Sequence, residues 1–282
     1  VSAIGVRRIV AFGAVTGAPG VTTVVGATSA AWRSGSGVGR PLVWEADPAG
    51  GVLQQVINPG GEAGLVTVAG VARREGLVHG RVLEYAGQLV GGVPVVTAPL
   101  HPGQAKAALE ELAPLWGAAE TGPVPWLVDI GRIDPSVPLP HGVWGCADAL
   151  VLVTRGDRHA LLYGALIARR ASERGLPVVV AVVGDCPESD REILRALGGS
   201  GVVRLPWDPF TAAVLRGQWA GGLRTRRALL GGRFAGEPRR QDYPLVAAAS
   251  GVARELERLL GIAEVDSPAP LTVGPLAVRG GS

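Results

Sequence analysis

Between Ile9 and Thr23 the sequence reads I-V-A-F-G-A-V-T-G-A-P-G-V-T-T: an apolar run, a turn carrying Gly17 and Gly20, then the pair Thr22 and Thr23. Strand, glycine loop and helix start in that order make an anion site. Loop N–H groups and the positive end of the helix converge there, and phosphate is the anion that suits it. The lysine that a phosphate loop places just before its first threonine is Val21 in this chain. Acids stand at the ends of two other apolar runs, Glu45 and Asp47 in P-L-V-W-E-A-D-P and Asp129 in P-W-L-V-D-I-G-R. In open α/β sheets ligands bind at the carboxyl ends of strands, so these loops carry the functional information.

Such residues need a sheet to hold them. Strands are expected over residues 41–45, 93–98, 125–130, 149–154, 177–183 and 202–205. Helical patterns fill residues 22–33, 52–57, 63–75, 104–116, 158–174, 189–197 and 244–260. Ser189 and Glu192 form a capping box. Strands alternating with helices predict an α/β fold with a mostly parallel sheet and helices on both faces. No repeat or linker divides the chain, so residues 1–260 are expected to form one domain, with a disordered tail over 261–282.

Composition narrows the partners. The 282 residues carry a net charge of +3 with 18% charged and 47% hydrophobic residues, and Lys106 is the sole lysine. That balance is too weak to argue for nucleic acid by itself. Cys146 and Cys186 lie apart with no CxxC or Cys/His cluster, which makes no case for a zinc site or a disulfide framework. Arg7-Arg8 ahead of apolar residues imitates a twin-arginine signal, but Gly17, Pro19 and Gly20 interrupt the run. No apolar segment reaches the ~18 residues of a membrane span, and a cytoplasmic chain is expected. Val1 and the absence of methionine fit a GTG start read literally or a shortened start.

Taken together, the loops resemble the ParA/MinD family of deviant Walker ATPases. The family's K-G-G-x-G-K-T-T loop aligns with T-G-A-P-G-V-T-T over Thr16, Gly17, Ala18, Pro19, Gly20, Val21, Thr22 and Thr23. Its D-x-D-P-x-G segment aligns with Glu45–Gly50, its Walker B aspartate with Asp129, and its A-D-x-x-x-x-V strand with Ala147–Val153. Its late I-P-x-D segment, near the family's base-binding pocket, aligns with Leu205, Pro206, Trp207 and Asp208, and this resemblance makes Pro206 a cofactor-binding candidate.

The resemblance implies a P-loop fold binding ATP and Mg2+, with Thr22 and Asp129 as magnesium ligands and Asp47 and Glu45 as switch residues. It also implies a homodimer and a role in partitioning or positioning DNA, division machinery or a surface apparatus. Both family lysines are replaced, by Thr16 and Val21. Charge-assisted contacts to phosphate are worth ~1.5–3 kcal/mol each, so their loss points to a degenerate ATPase acting as an interaction scaffold. An active ATP-dependent dimer switch is the alternative within the family. Arg132 is a candidate for replacing the missing charge, and Gly184-Asp185 stands where the family often has a base-reading asparagine.

Outside that family, Gly13, Gly17 and Gly20 followed by Glu45 also fit an NAD(P)-binding oxidoreductase. The Y-x-x-x-K pair of the short-chain dehydrogenases is absent. Arg224, Arg226, Arg227, Arg233, Arg239 and Arg240 form a candidate patch for nonspecific DNA contact, with an acidic protein partner or a solvated loop as the competing readings. Membrane contact by the last helix is less expected than docking on the sheet. Trp44 and Trp126 are expected in the core, and for Trp207 and Trp219 packing is the preferred reading over lining a pocket.

Overall fold

The apolar run after Arg8 becomes strand β1 (Ile9–Ala14), and every residue of it is buried. The structure, a computed structural model, describes residues 7–16, 19–32, 40–57, 64–89, 92–134, 142–216 and 243–262. After β1 come α1 (Val21–Ala31), β2 (Leu42–Glu45), α2 (Leu53–Ile57), α3 (Leu65–Glu75), α4 (His79–Leu83), β3 (Gly87–Leu89) and β4 (Val93–Val96). Then follow α5 (Pro102–Leu112), β5 (Trp126–Arg132), α6 (Val143–Cys146), β6 (Ala149–Arg155), α7 (Arg158–Ser172) and β7 (Val178–Val183). The last elements are α8 (Asp190–Leu197), β8 (Gly201–Leu205), α9 (Pro209–Leu215) and α10 (Pro244–Leu259).

The strands form one eight-stranded sheet in the order β3-β4-β2-β5-β1-β6-β7-β8. Among the described residues only the β3–β4 pair is antiparallel. β1 therefore lies between β5 and β6. A dinucleotide-binding fold places β2 beside β1, so the oxidoreductase alternative fails on topology.

Alternation along the strands sorts the core onto the two sheet faces. Ile9, Ala11, Trp44, Trp126, Val128, Leu150 and Val180 face one way, toward α3, α5, α7 and α8. Val10, Phe12, Val43, Leu127, Val151 and Ala181 face the other, toward α1, α9 and α10. Helix α1 is buried nearly all round because its Ala, Gly and Val side chains let the sheet and α10 approach closely. Its buried hydroxyls are satisfied: Thr28 donates to the Val24 carbonyl at 2.8 Å and Ser29 to the Pro41 carbonyl at 2.8 Å.

The expected capping box is present at α8. Glu110 and Glu111 point outward from α5. Unforeseen were β3, α4, α6 and α9, all of seven residues or fewer and too short to show a period. Residues 263–282 of the expected tail lie outside the described residues. No helix among the described residues is long and apolar enough to cross a membrane.

Candidate functional site

Gly20 holds φ at +87°, a backbone conformation that favours glycine, and turns the chain from the loop into α1. No side chain caps this helix start, and Val24 N–H already bonds the Gly20 carbonyl at 2.9 Å. The three residues of the first turn then diverge, as a helix requires. Val21 packs into the apolar cluster with Phe12 and Val24. Thr22 turns to β5 and donates its hydroxyl to Asp129 Oδ2 at 2.5 Å. Thr23 turns to a cavity walled by Pro206, Trp207 and Asp208.

Asp129 is the meeting point of the acids. Its residue pairs with Glu45 across β2 and β5, and its carbonyl accepts from Ala46 N–H at 2.8 Å. Its second oxygen accepts from Gly131 N–H at 2.9 Å. Burial drives the Asp129 carboxyl up to about 7 against the pull of the Thr22 and Gly131 donors, with the charges of Asp47 and Glu45 adding to the rise. Burial also raises Asp47, whose carboxylate accepts from Ala49 N–H at 2.8 Å.

Glu45 is held within the fold. One oxygen accepts from Val52 N–H at 2.9 Å and Leu53 N–H at 3.4 Å, the other from Ala98 N–H at 2.9 Å. Burial raises its carboxyl, and these three N–H groups oppose the rise. Glu45 thus ties the end of β2 to the start of α2 and the end of β4.

Gly131 lets Asp47 approach the Asp129 strand. A Cβ on Gly131 would sit 2.1 Å from Asp47 Oδ2, and its φ is +66°. Gly198, which ends α8 in the left-handed conformation, has a similar φ of +67° with nothing within 4 Å of its would-be Cβ. Gly198→Ala should therefore cost only the left-handed backbone penalty of ~1–2 kcal/mol. Gly131→Ala should cost that plus the displacement of Asp47. Urea unfolding of both variants tests this, and equal losses would show that Asp47 relocates without cost.

On the far side of the α1 start lies a cavity of about 170 Å³ lined by Pro19, Gly20, Thr23, Val183, Pro206, Trp207 and Arg216, among others. Trp207 is 59% exposed, contrary to the expectation of packing. The Arg155 guanidinium lies 5.3 Å above its ring centroid, within cation–π range. Asp208 caps α9: Oδ1 accepts from Thr211 N–H at 2.9 Å, and Oδ2 accepts from the Thr211 hydroxyl and, at 3.4 Å, from Leu245 N–H. Sequence reasoning passed over Arg155 and ranked packing above the pocket-lining place that Trp207 takes. The one available signal was their placement at the ends of parallel strands.

The structure thus brings Thr22, Asp47 and Asp129 around the loop, with Thr23 and Pro206 on the cavity side. Thr16 is half-buried at the loop's start, and Arg132 is exposed at the end of β5. Gly17, Ala18, Trp219 and the arginines at 224, 226, 227, 233, 239 and 240 lie outside the described residues. Among the described residues no three His, Cys, Asp or Glu side chains group as a chelating cluster. The Thr22 hydroxyl and the Asp129 carboxyl are hard oxygen donors, the class of ligand that suits magnesium.

No family model matches the chain, and no curated protein matches its sequence. Solved structures do match. MinD, the septum site-determining protein of Pyrococcus horikoshii complexed with Mg-ADP, superposes with a TM-score of 0.59 at 16% identity, covering 91% of this chain and 98% of its own. The Pyrococcus furiosus cell division ATPase MinD gives 0.58 at 17% identity, covering 90% and 100%. A ParA family ATPase from Chlorobium tepidum gives 0.57 at 13%, covering 89% and 98%. The shared property is the fold: this chain has the ParA/MinD P-loop architecture over nearly its whole described length.

Proposed function

We propose that this chain is a ParA/MinD-like protein for positioning DNA, division machinery or a surface apparatus, and that it acts as an interaction scaffold without turning over ATP. One observation carries the reading. The position of the phosphate-gripping lysine is Val21, which is folded into the core, while the Thr22–Asp129 pair beside it is retained. Pro19 further removes one N–H from the loop. Thr22 and Asp129 would hold magnesium, which when bound supplies positive charge to neutralise phosphate oxygens. Asp47 stands beside them to orient a water or metal ligand, and Glu45 positions the strand end through its three backbone bonds.

The test is ATP binding and hydrolysis with magnesium, on the unmodified protein and on Val21→Lys. A lysine stem can cover the same apolar surface while its amine reaches the loop. The unmodified chain should show no turnover above background. Val21→Lys should bind ATP tighter by about tenfold or more, since one charge-assisted contact is worth ~1.5–3 kcal/mol. Magnesium-dependent hydrolysis by the unmodified protein would overturn the scaffold reading.

A further inference from the structure

We propose that the cavity between α2, α3 and α5, at the end of β4, takes a single carboxylate carried next to a small apolar group. In the sheet β2 and β5 separate β4 from β1, so this cavity is distinct from the loop that follows β1. It does not depend on whether the chain binds ATP.

The start of α3 supplies the donors. Its cap residue is Gly64, and no side chain caps the helix. The first N–H groups of a helix have no partner within it, and they form the positive end of its dipole, where anions bind. Here Leu65 N–H bonds the Thr97 carbonyl at 2.8 Å, and Val68 N–H bonds the Gly64 carbonyl at 2.9 Å. Val66 N–H has no backbone partner among the described residues, and Val66 lines the cavity.

Thr97 points to a ligand independently. It is only 5% exposed, yet it lines the same cavity. Its hydroxyl faces the start of α3, since a Cβ on Gly64 would stand 2.8 Å from Oγ1. Among the described residues no hydrogen bond engages that hydroxyl. A buried hydroxyl is costly unless something bonds to it. Gln104, from the first turn of α5, adds an amide donor to the lining.

The surroundings select the anion. None of the lining residues is charged. Glu45 stands behind the wall, its carboxylate accepting from Ala98 N–H, next to Thr97. One negative charge can be met by N–H, hydroxyl and amide donors, whereas a doubly charged phosphate needs a cation that this lining lacks. The rest of the lining is apolar, with Leu65 and Pro99 buried and Val66 51% exposed. The volume of about 380 Å³ falls within the roughly 300–1,000 Å³ of small-molecule sites. A small branched-chain acid and the C-terminus of a peptide ending in an apolar residue share this chemistry.

Amide NMR titration of the isotope-labelled full chain tests the proposal, with N-acetylleucine, N-acetylleucinamide, isocaproate and inorganic phosphate as probes. N-acetylleucine should move the Val66 amide signal and bind about tenfold or more tighter than its uncharged amide, the scale of one charge-assisted hydrogen bond. Phosphate should bind more weakly than N-acetylleucine. Thr97→Val keeps the side-chain shape without the hydroxyl and should weaken N-acetylleucine severalfold. Gln104→Ala, at an exposed position, should weaken it too and serves alone if Thr97→Val fails a thermal unfolding check. Isocaproate binding as tightly as N-acetylleucine identifies a small acid as the ligand, and tighter binding of N-acetylleucine identifies a peptide C-terminus. Equal affinity for N-acetylleucine and its amide overturns the proposal, as do tighter binding of phosphate and unchanged affinity in the folded variants. A Val66 signal that stays in place at tens of millimolar N-acetylleucine overturns it as well, and leaves the non-hydrolysing scaffold untouched.

Discussion

Trp44→Ala is expected to lower the stability of this protein by about 3–5 kcal/mol, the usual cost of truncating a buried aromatic ring to a methyl group. Trp44 has no exposed surface, and its ring lies 4.9 Å from that of Trp116 and 5.0 Å from that of Trp126. The three rings meet on the sheet face covered by α3 and α5, so the void left by alanine cannot close by moving one side chain. Domains of this kind are stable by roughly 5–15 kcal/mol, and such a loss consumes a large share.

Trp44→Phe should cost far less, about 1 kcal/mol or so, because most of the ring contact survives. The Trp44 indole N–H meets no acceptor among the described residues, so phenylalanine forfeits no hydrogen bond there. Urea unfolding followed by far-ultraviolet circular dichroism measures both. A Trp44→Ala variant within 1 kcal/mol of the parent would show that the aromatic cluster is not a stability centre. Glu45 follows Trp44 directly, so a shift of this ring would also disturb the three backbone bonds to that carboxylate.

The second large effect is in pH. Native Asp129 keeps its proton up to about pH 7, whereas in the unfolded chain the group releases it near 3.8. Across that window the native state binds more protons, so the contribution of this group to folding stability is full below about pH 4 and is lost as the pH rises toward 7. At about 1.4 kcal/mol per unit, the decline from this group is on the order of a few kcal/mol. Glu45 and Asp47, also raised by burial, add to it with the same sign.

His79 works the other way. Burial lowers its pKa from 6.5, so protonation on acidification destabilises the fold. Comparing the parent with Asp129→Asn cancels that contribution. In metal-free buffer the difference in stability between the two should shift toward the variant by a few kcal/mol between pH 5 and pH 8. Equal pH slopes in the parent and Asp129→Asn would remove Asp129 as the source.

Much of the fold was legible because the long elements carry their own periods. The P-V-V-V-A-V-V run could only be a strand covered on both faces, and β7 is buried throughout. That acids stand at strand ends was legible from the loops, since Glu45 and Asp129 each end an apolar run. What Glu45 bonds to was not, because one donor, Ala98, lies 53 positions away. Packing was preferred for Trp207 for a related reason. Tryptophan is usually buried, and nothing local says that this one stands at an open edge beside an arginine from another strand. Asp208 was legible only as part of an aligned segment, and its carboxylate caps α9 and joins it to α10, the second partner lying 37 positions away.

The place of β1 in the sheet has a consequence for synthesis on the ribosome. Its two neighbours are β5 and β6, whose pairing residues begin at Trp126 and Ala149. The helix that follows it, α1, is covered by α10, which starts at Pro244. At about 5–20 residues per second, the segment I-V-A-F-G-A waits on the order of 6–25 s for its first partner strand. Throughout that interval one of the most apolar stretches of the chain has no native strand to pair with, the condition under which nascent segments stick to their neighbours.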